Sequence, residues 1–136
     1  MEQDDELETI RARKLNDLIE QANKKGDKKM AGNVEVVTDE SFDKFIKQDK
    51  LVVIDCWAPW CGPCRALAPK IEELSVEMAD KVAFGKLNTD ENENAPLRFN
   101  ISAIPTVLIF KNGNFVDRIV GLRPKEAMKA AFEKML

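Results

Sequence analysis

The sequence predicts an α/β sandwich built on a mixed sheet, and three observations carry that reading. Leu51-Val52-Val53-Ile54 is apolar at every position, as in a strand of a parallel sheet covered on both faces. Strand-like and helix-like patterns alternate in the order βαβαβαββα, the sequence of crossover units closed by a hairpin. Asn112-Gly113, between two apolar runs, signals a tight hairpin and so an antiparallel pair.

The chain has 136 residues, enough for one domain and one core. Residues 4–25 carry a helical pattern in which Leu7, Ile10, Leu15, Leu18, Ile19 and Ala22 share one broad side. Gly26-Asp27-Lys28-Lys29 and Gly32-Asn33 break it as a polar linker, so residues 1–32 are expected to be a helical or disordered extension and 33–136 the domain. A solvated helix on a tether, a helix docked on the domain and a helix paired with another chain all fit residues 7–22, because an isolated helix of this length is marginal in water.

Val34 to Val37 reads as a short strand. Thr38 or Asp39 is positioned to cap the next helix, whose stripe is Phe42, Phe45 and Ile46. Leu51 to Trp57 is the central strand, followed by a helix from about Gly62 to Ala79 with Leu67, Ile71, Leu74 and Met78 as its stripe. Pro69 is expected to interrupt and kink that helix. Val82 to Asn88 should pair parallel to the central strand through a right-handed crossover. Glu91 to Arg98 is weakly helical. Thr106 to Lys111 and Phe115 to Val120 flank the hairpin turn, and Pro124 opens a last helix with Met128, Ala131, Phe132 and Met135 facing inward.

The chemistry centres on Trp60-Cys61-Gly62-Pro63-Cys64, at the end of the central strand and in the first turn of a helix. A CxxC can be half a zinc site or a redox pair. With three cysteines and no histidine in the chain, a tetrahedral Cys/His site lacks ligands, and strand–CxxC–helix context favours a dithiol/disulfide couple. Cys61 would meet the unpaired N–H groups of the helix start, which favour a thiolate, and Cys64 would lie one turn on along the same face.

The run Asp55 to Cys64, reading DCWAPWCGPC, is followed by Ala103-Ile104-Pro105-Thr106, Lys111-Asn112-Gly113 and Val120-Gly121. In sequence and spacing these resemble the thioredoxin family over about residues 33–136. The resemblance implies the thioredoxin fold, a three-layer α/β/α sandwich with a central mixed β-sheet, and a protein-disulfide reductase. It implies Cys61 as nucleophile and Cys64 as resolving thiol, joined as a redox disulfide when oxidised. It also implies Asp55 as general base through water, with Lys86 beside it. Gly62-Pro63 resembles the reducing members of the superfamily. The Ile104–Pro105 bond is expected to be cis, with Ile104 offering main-chain hydrogen bonds to an extended substrate. Trp60 and Gly121 would complete an apolar groove.

Read from the residues alone, several of these positions stay open. Asp55 lies in an apolar strand and shares a face with Val53 and Trp57, which suggests burial, although an edge-facing Asp is the alternative. Lys86 is either its neighbour or a lysine snorkelling from a strand. Cys56 points to the opposite face, as a small buried hydrophobe or a second redox thiol. Pro105 could be trans and structural.

The implied partners are protein disulfides and a thioredoxin reductase. No bound cofactor and no metal are expected, so electrons come from outside. The net charge of −3 without a basic stripe argues against nucleic acid, and no apolar run approaches a membrane span. Met1 to Glu6 is acidic where a secretory signal would be basic and then apolar, which sets the cytoplasm as the expected location; a monomer is expected as well. An oxidase or isomerase using the same pair, and a binding subunit docked through residues 7–22, are the rival functions.

Overall fold

A computed structural model describes residues 32–136. The helical pattern expected over residues 4–25 lies outside the described residues. Its strands are β1 (Val34–Val36), β2 (Leu51–Trp57), β3 (Val82–Asn88), β4 (Thr106–Lys111) and β5 (Asn114–Val120), and its helices α1 (Phe42–Ile46), α2 (Gly62–Glu77), α3 (Asn94–Arg98) and α4 (Lys125–Lys134). The five strands form one sheet in the order β1-β3-β2-β4-β5. β3 is parallel to both β1 and β2, whereas β4 is antiparallel to β2 and β5 to β4. This is the thioredoxin fold, with the mixed sheet read from the sequence.

Side-chain alternation along β2 divides the core into two. Leu51 and Val53 pack with Leu67, Ile71 and Leu74 of α2 and Phe132 of α4. Val52, Ile54 and Cys56 pack on the other side with Phe42, Phe45 and Ile46 of α1 and with Phe110. Each fully buried large apolar side chain contributes roughly 1.5–3 kcal/mol before entropy is subtracted, so β2, apolar on both faces, anchors both layers. Gly85 of β3 passes so close beneath α1 that a Cβ there would lie 2.6 Å from Val37 Cγ2 and 2.8 Å from Phe45 Cε2. On the first side, ion pairs of Glu73 with Lys125 and Glu77 with Lys129, both at 3.0 Å, tie α2 to α4.

Asn112 and Gly113 have φ of 54° and 81°, the left-handed pair that a two-residue type I′ hairpin requires. One extra residue on β5 opposite Ile109 and Phe110 makes a bulge, which blunts this edge strand.

Three local expectations are corrected. Asp39 caps a different helix: its carboxylate accepts the N–H groups of Asn94 and Ala95, at 3.2 and 3.4 Å, at the start of α3. Thr38 instead exchanges hydrogen bonds with Ser41 in the turn before α1, with Ser41 N–H donating to Thr38 Oγ1 at 3.2 Å and Thr38 N–H to Ser41 Oγ at 3.0 Å. α2 runs through Pro69 as one element, so the proline does not end it; the Arg65 carbonyl loses only the donor four residues on.

Candidate active site

Beyond β2, Ala58-Pro59-Trp60 turns the chain, with Cys61 N–H donating to the Ala58 carbonyl at 3.2 Å, and α2 begins at Gly62. Cys61 is the N-cap, in an extended conformation, and its sulfur accepts the Cys64 N–H at 3.2 Å. Pro63 occupies the first turn, where its missing N–H costs nothing. The sulfur of Cys61 thus sits where helix N–H groups and the helix dipole stabilise negative charge.

Cys61 and Cys64 are joined as a disulfide with their Cα atoms 5.2 Å apart. Gly62 and Pro63 are exposed on the outside of this ring. Both sulfur-bearing residues are nearly covered, Cys61 at 5% exposure and Cys64 at 2%. What separates them is direction. The Cys61 sulfur lies 3.9 Å from the carbonyl oxygen of Ile104, at the surface loop, whereas Cys64 lines an inner cavity.

The Ile104–Pro105 bond is cis. Pro105 is buried, and its carbonyl accepts the Gly121 N–H at 2.8 Å, which brings Gly121 beside the loop. Gly121 has φ of 89°, and a Cβ there would meet no protein atom within 4 Å. Its backbone conformation demands glycine, and the surface above it is open. Trp60 is 68% exposed but held, because its indole N–H donates to Asp90 Oδ1 at 3.1 Å.

Beneath the disulfide, Asp55 is buried on the face of the sheet that carries α2. Burial pushes its carboxyl up to about 7, and the facing Lys86 ammonium only partly offsets that. Asp55 and Lys86 are register partners in β2 and β3. Asp55, Trp57, Cys64 and Lys86 line a cavity of about 100 Å³, with Arg65 and Glu72 lining its helix side. Asp55 Oδ1 and the Trp57 indole N–H have no hydrogen-bond partner within the described protein. A cavity of this size with such groups suits water-mediated contact.

Cys56 is completely buried on the opposite face among apolar side chains. Burial, and then the Asp55 charge, push its thiol up to about 12. The structure therefore brings Cys64, Asp55 and Lys86 around one cavity, while Ile104 lies against Cys61 and shares a surface pocket with Trp60, and Pro105 is hydrogen-bonded to Gly121. It leaves Cys56 at neither the cavity nor the pocket.

Sequence reasoning missed Asp90, which fixes Trp60, and Glu72 and Arg65 at the inner cavity. Glu72 was within reach, since Cys64, Ala68 and Glu72 are spaced four apart on one helix face. Asp90 had no local signal. Among the described residues no cluster of His, Cys, Asp and Glu is placed to hold a metal, and no helix is long and apolar enough to cross a membrane.

Comparison with known proteins matches the family model for thioredoxin to residues 33–134. A thioredoxin of Alicyclobacillus acidocaldarius is 45% identical over 100 residues, covering 74% of this chain and 95% of the relative. A Synechocystis thioredoxin is 46% identical over 101 residues, covering 74% and 94%. The chloroplastic M-type thioredoxin of Pisum sativum is 47% identical over 104 residues, covering 76% of this chain and 60% of its own length. The crystal structure of Malassezia sympodialis thioredoxin superposes with a TM-score of 0.70 at 39% identity, covering 76% of this chain and 90% of that one.

Proposed function

The chain belongs to the thioredoxin family and is a thiol-disulfide oxidoreductase; from that premise we propose that it reduces protein disulfides, donates electrons to target proteins and maintains redox homeostasis in the cytoplasm. The observation that carries this reading is the division of the two cysteines, Cys61 facing the opening at Ile104 and Cys64 facing the Asp55 cavity.

In the reduced protein the Cys61 thiolate attacks one sulfur of a substrate disulfide. A mixed disulfide forms and the first substrate thiolate leaves. Asp55, as carboxylate, takes the proton of Cys64 through the cavity. The Cys64 thiolate then attacks the Cys61 sulfur and releases the second substrate thiolate. Two electrons have moved to the substrate, and the Cys61–Cys64 disulfide is the product state on the protein. Lys86 keeps part of the Asp55 population ionised near neutral pH. Gly62-Pro63, without a histidine to stabilise the thiolate further, favours the reducing direction. Trp60, Ile104, Pro105 and Gly121 form the surface on which an extended substrate pairs with the Ile104 backbone. A thioredoxin reductase returns the electrons.

Insulin-disulfide reduction, assayed with several candidate reductases, tests the proposal. Turnover should require both Cys61 and Cys64; biological activity retained in full by a Cys61→Ser, Cys64→Ser variant would favour a binding subunit instead. Residues 1–32 are proposed as an accessory extension to a monomeric catalytic domain, with partner contact through residues 7–22. Their removal should leave insulin reduction within about twofold, since catalytic groups and pairing surface lie elsewhere. Loss of activity on truncation would make the extension integral. Cytoplasmic location is testable by fractionation; recovery in an organelle would contradict it and match instead the kind of location named for the chloroplastic relative.

A further inference from the structure

Beside the redox pair lies an open pocket of about 390 Å³, lined by Trp60, Pro96, Leu97, Ile101 and Ile104, with Glu93 at its rim. Its volume is in the range of pockets that hold a ligand group, about 300–1,000 Å³. Leu97 is 77% exposed at its edge, more than any other large apolar side chain among the described residues. The rim is acidic: Glu93 lines it and Asp90 is hydrogen-bonded to Trp60 of its wall, both are exposed, and neither has an ion-pair partner among the described residues. Arg98 is the basic group of α3, and it is already engaged, 2.8 Å from Asp43 and stacked over Phe42 and Phe99.

An extended segment fits this arrangement in one way. In a strand, side chains two residues apart point to the same face, roughly 6.5–7 Å apart. If the substrate cysteine points at Cys61 and its main chain pairs along Ile104, the side chain two residues away points at the protein as well. On the Trp60 side it meets this pocket, which is continuous with the redox surface through Trp60 and Ile104. The residue beyond it points away from the pocket floor, and only a side chain as long as that of lysine or arginine reaches back to the acidic rim.

We infer that this pocket selects substrates by an apolar side chain two residues from the reactive cysteine, followed by lysine or arginine. The inference rests on the reductase reading and names its preferred substrate class. Leu97 and Ile101 supply the apolar lining, while Glu93, with Asp90 beside Trp60, supplies the charge complementarity.

The test uses the full chain, reduced with dithiothreitol and freed of it, in single-turnover reaction with disulfide-bonded peptides. Leu or Ser is placed two residues before or after the cysteine, and Lys or Glu just beyond. The Leu–Lys peptide in one of the two directions should react about tenfold faster than its Ser–Lys counterpart, the scale of apolar pocket discrimination. It should react about threefold faster than Leu–Glu, with that second ratio shrinking in high salt. Leu97→Ser should reduce the first ratio, and Glu93→Lys should invert the second. Rates within twofold across the wild-type series, or ratios unmoved by both variants, would overturn the inference while leaving the reductase reading standing. If no peptide is reduced at all, the reductase reading fails first and the inference with it.

Discussion

Asp55 and Cys56 are neighbours in β2, both titratable and both buried, yet they belong to different chemistry. Asp55 faces α2, where a cavity connects it with Cys64 and Lys86. Cys56 faces α1 and packs with Ile54, Leu108 and Phe110 in a closed apolar core. Burial raises the pKa of both, but only on the first face does a proton have a donor and a route. The comparison teaches that strand parity decides the surroundings: one residue of register separates the proposed base from a packing group.

The largest effect should come from the cysteines on the active side. Cys64→Ser should leave attack intact and abolish resolution, lowering multiple turnover on the order of 10³-fold or more, as loss of a covalent group does. Mixed disulfides with substrate should accumulate on Cys61 and be visible on non-reducing gels. If they accumulate on Cys56 instead, the two faces have been misassigned.

Asp55→Asn ranks next. Turnover should slow by about 10- to 100-fold, at or below the usual range for general-base catalysis because the proton passes through water. Stability should change in the opposite sense. The folded protein holds a proton on Asp55 up to about pH 7, whereas the unfolded chain releases it near pH 4. Between those values the unfolded state binds fewer protons, so stability falls as pH rises, by a few kcal/mol in all, and levels off above the folded value. The variant should lose that slope and melt higher than wild type at pH 8. Thermal melts of both proteins from pH 4 to 8 check this; identical slopes would place Asp55 in contact with solvent.

Cys56→Val should matter least. The exchange adds about one methyl group to a closed core, so it should cost about 1–3 kcal/mol of stability and leave turnover within about twofold. In the reduced native protein iodoacetamide should modify Cys61 first and Cys56 only after unfolding. Early labelling of Cys56, or a large loss of activity in Cys56→Val, would erase the contrast.

Much of this contrast was legible in the sequence because it is local. Period-two alternation put Asp55 with Val53 and Trp57 and turned Cys56 away. Asn112-Gly113 announced its own turn, and the CxxC lay where strand gives way to helix. The cis geometry at Pro105 came from family resemblance, since no local pattern separates cis from trans. What could not be read depends on residues far apart in the chain. Asp39 caps α3 across more than fifty residues. Gly85 is required only because Val37 and Phe45 come to rest above it. Trp60 is held by Asp90, thirty residues on. In each case the residue type was visible, and its partner was supplied by the packing of layers.

The central claim is that Asp55 is a buried base poised near neutrality on the face that holds Cys64. Its most direct test is a ¹³C titration of the Asp55 carboxyl by NMR in the oxidised full-length protein, with Asp55→Asn used to assign the resonance. The account predicts a midpoint near 7. A midpoint near 4, the value of an ordinary aspartate, would contradict it.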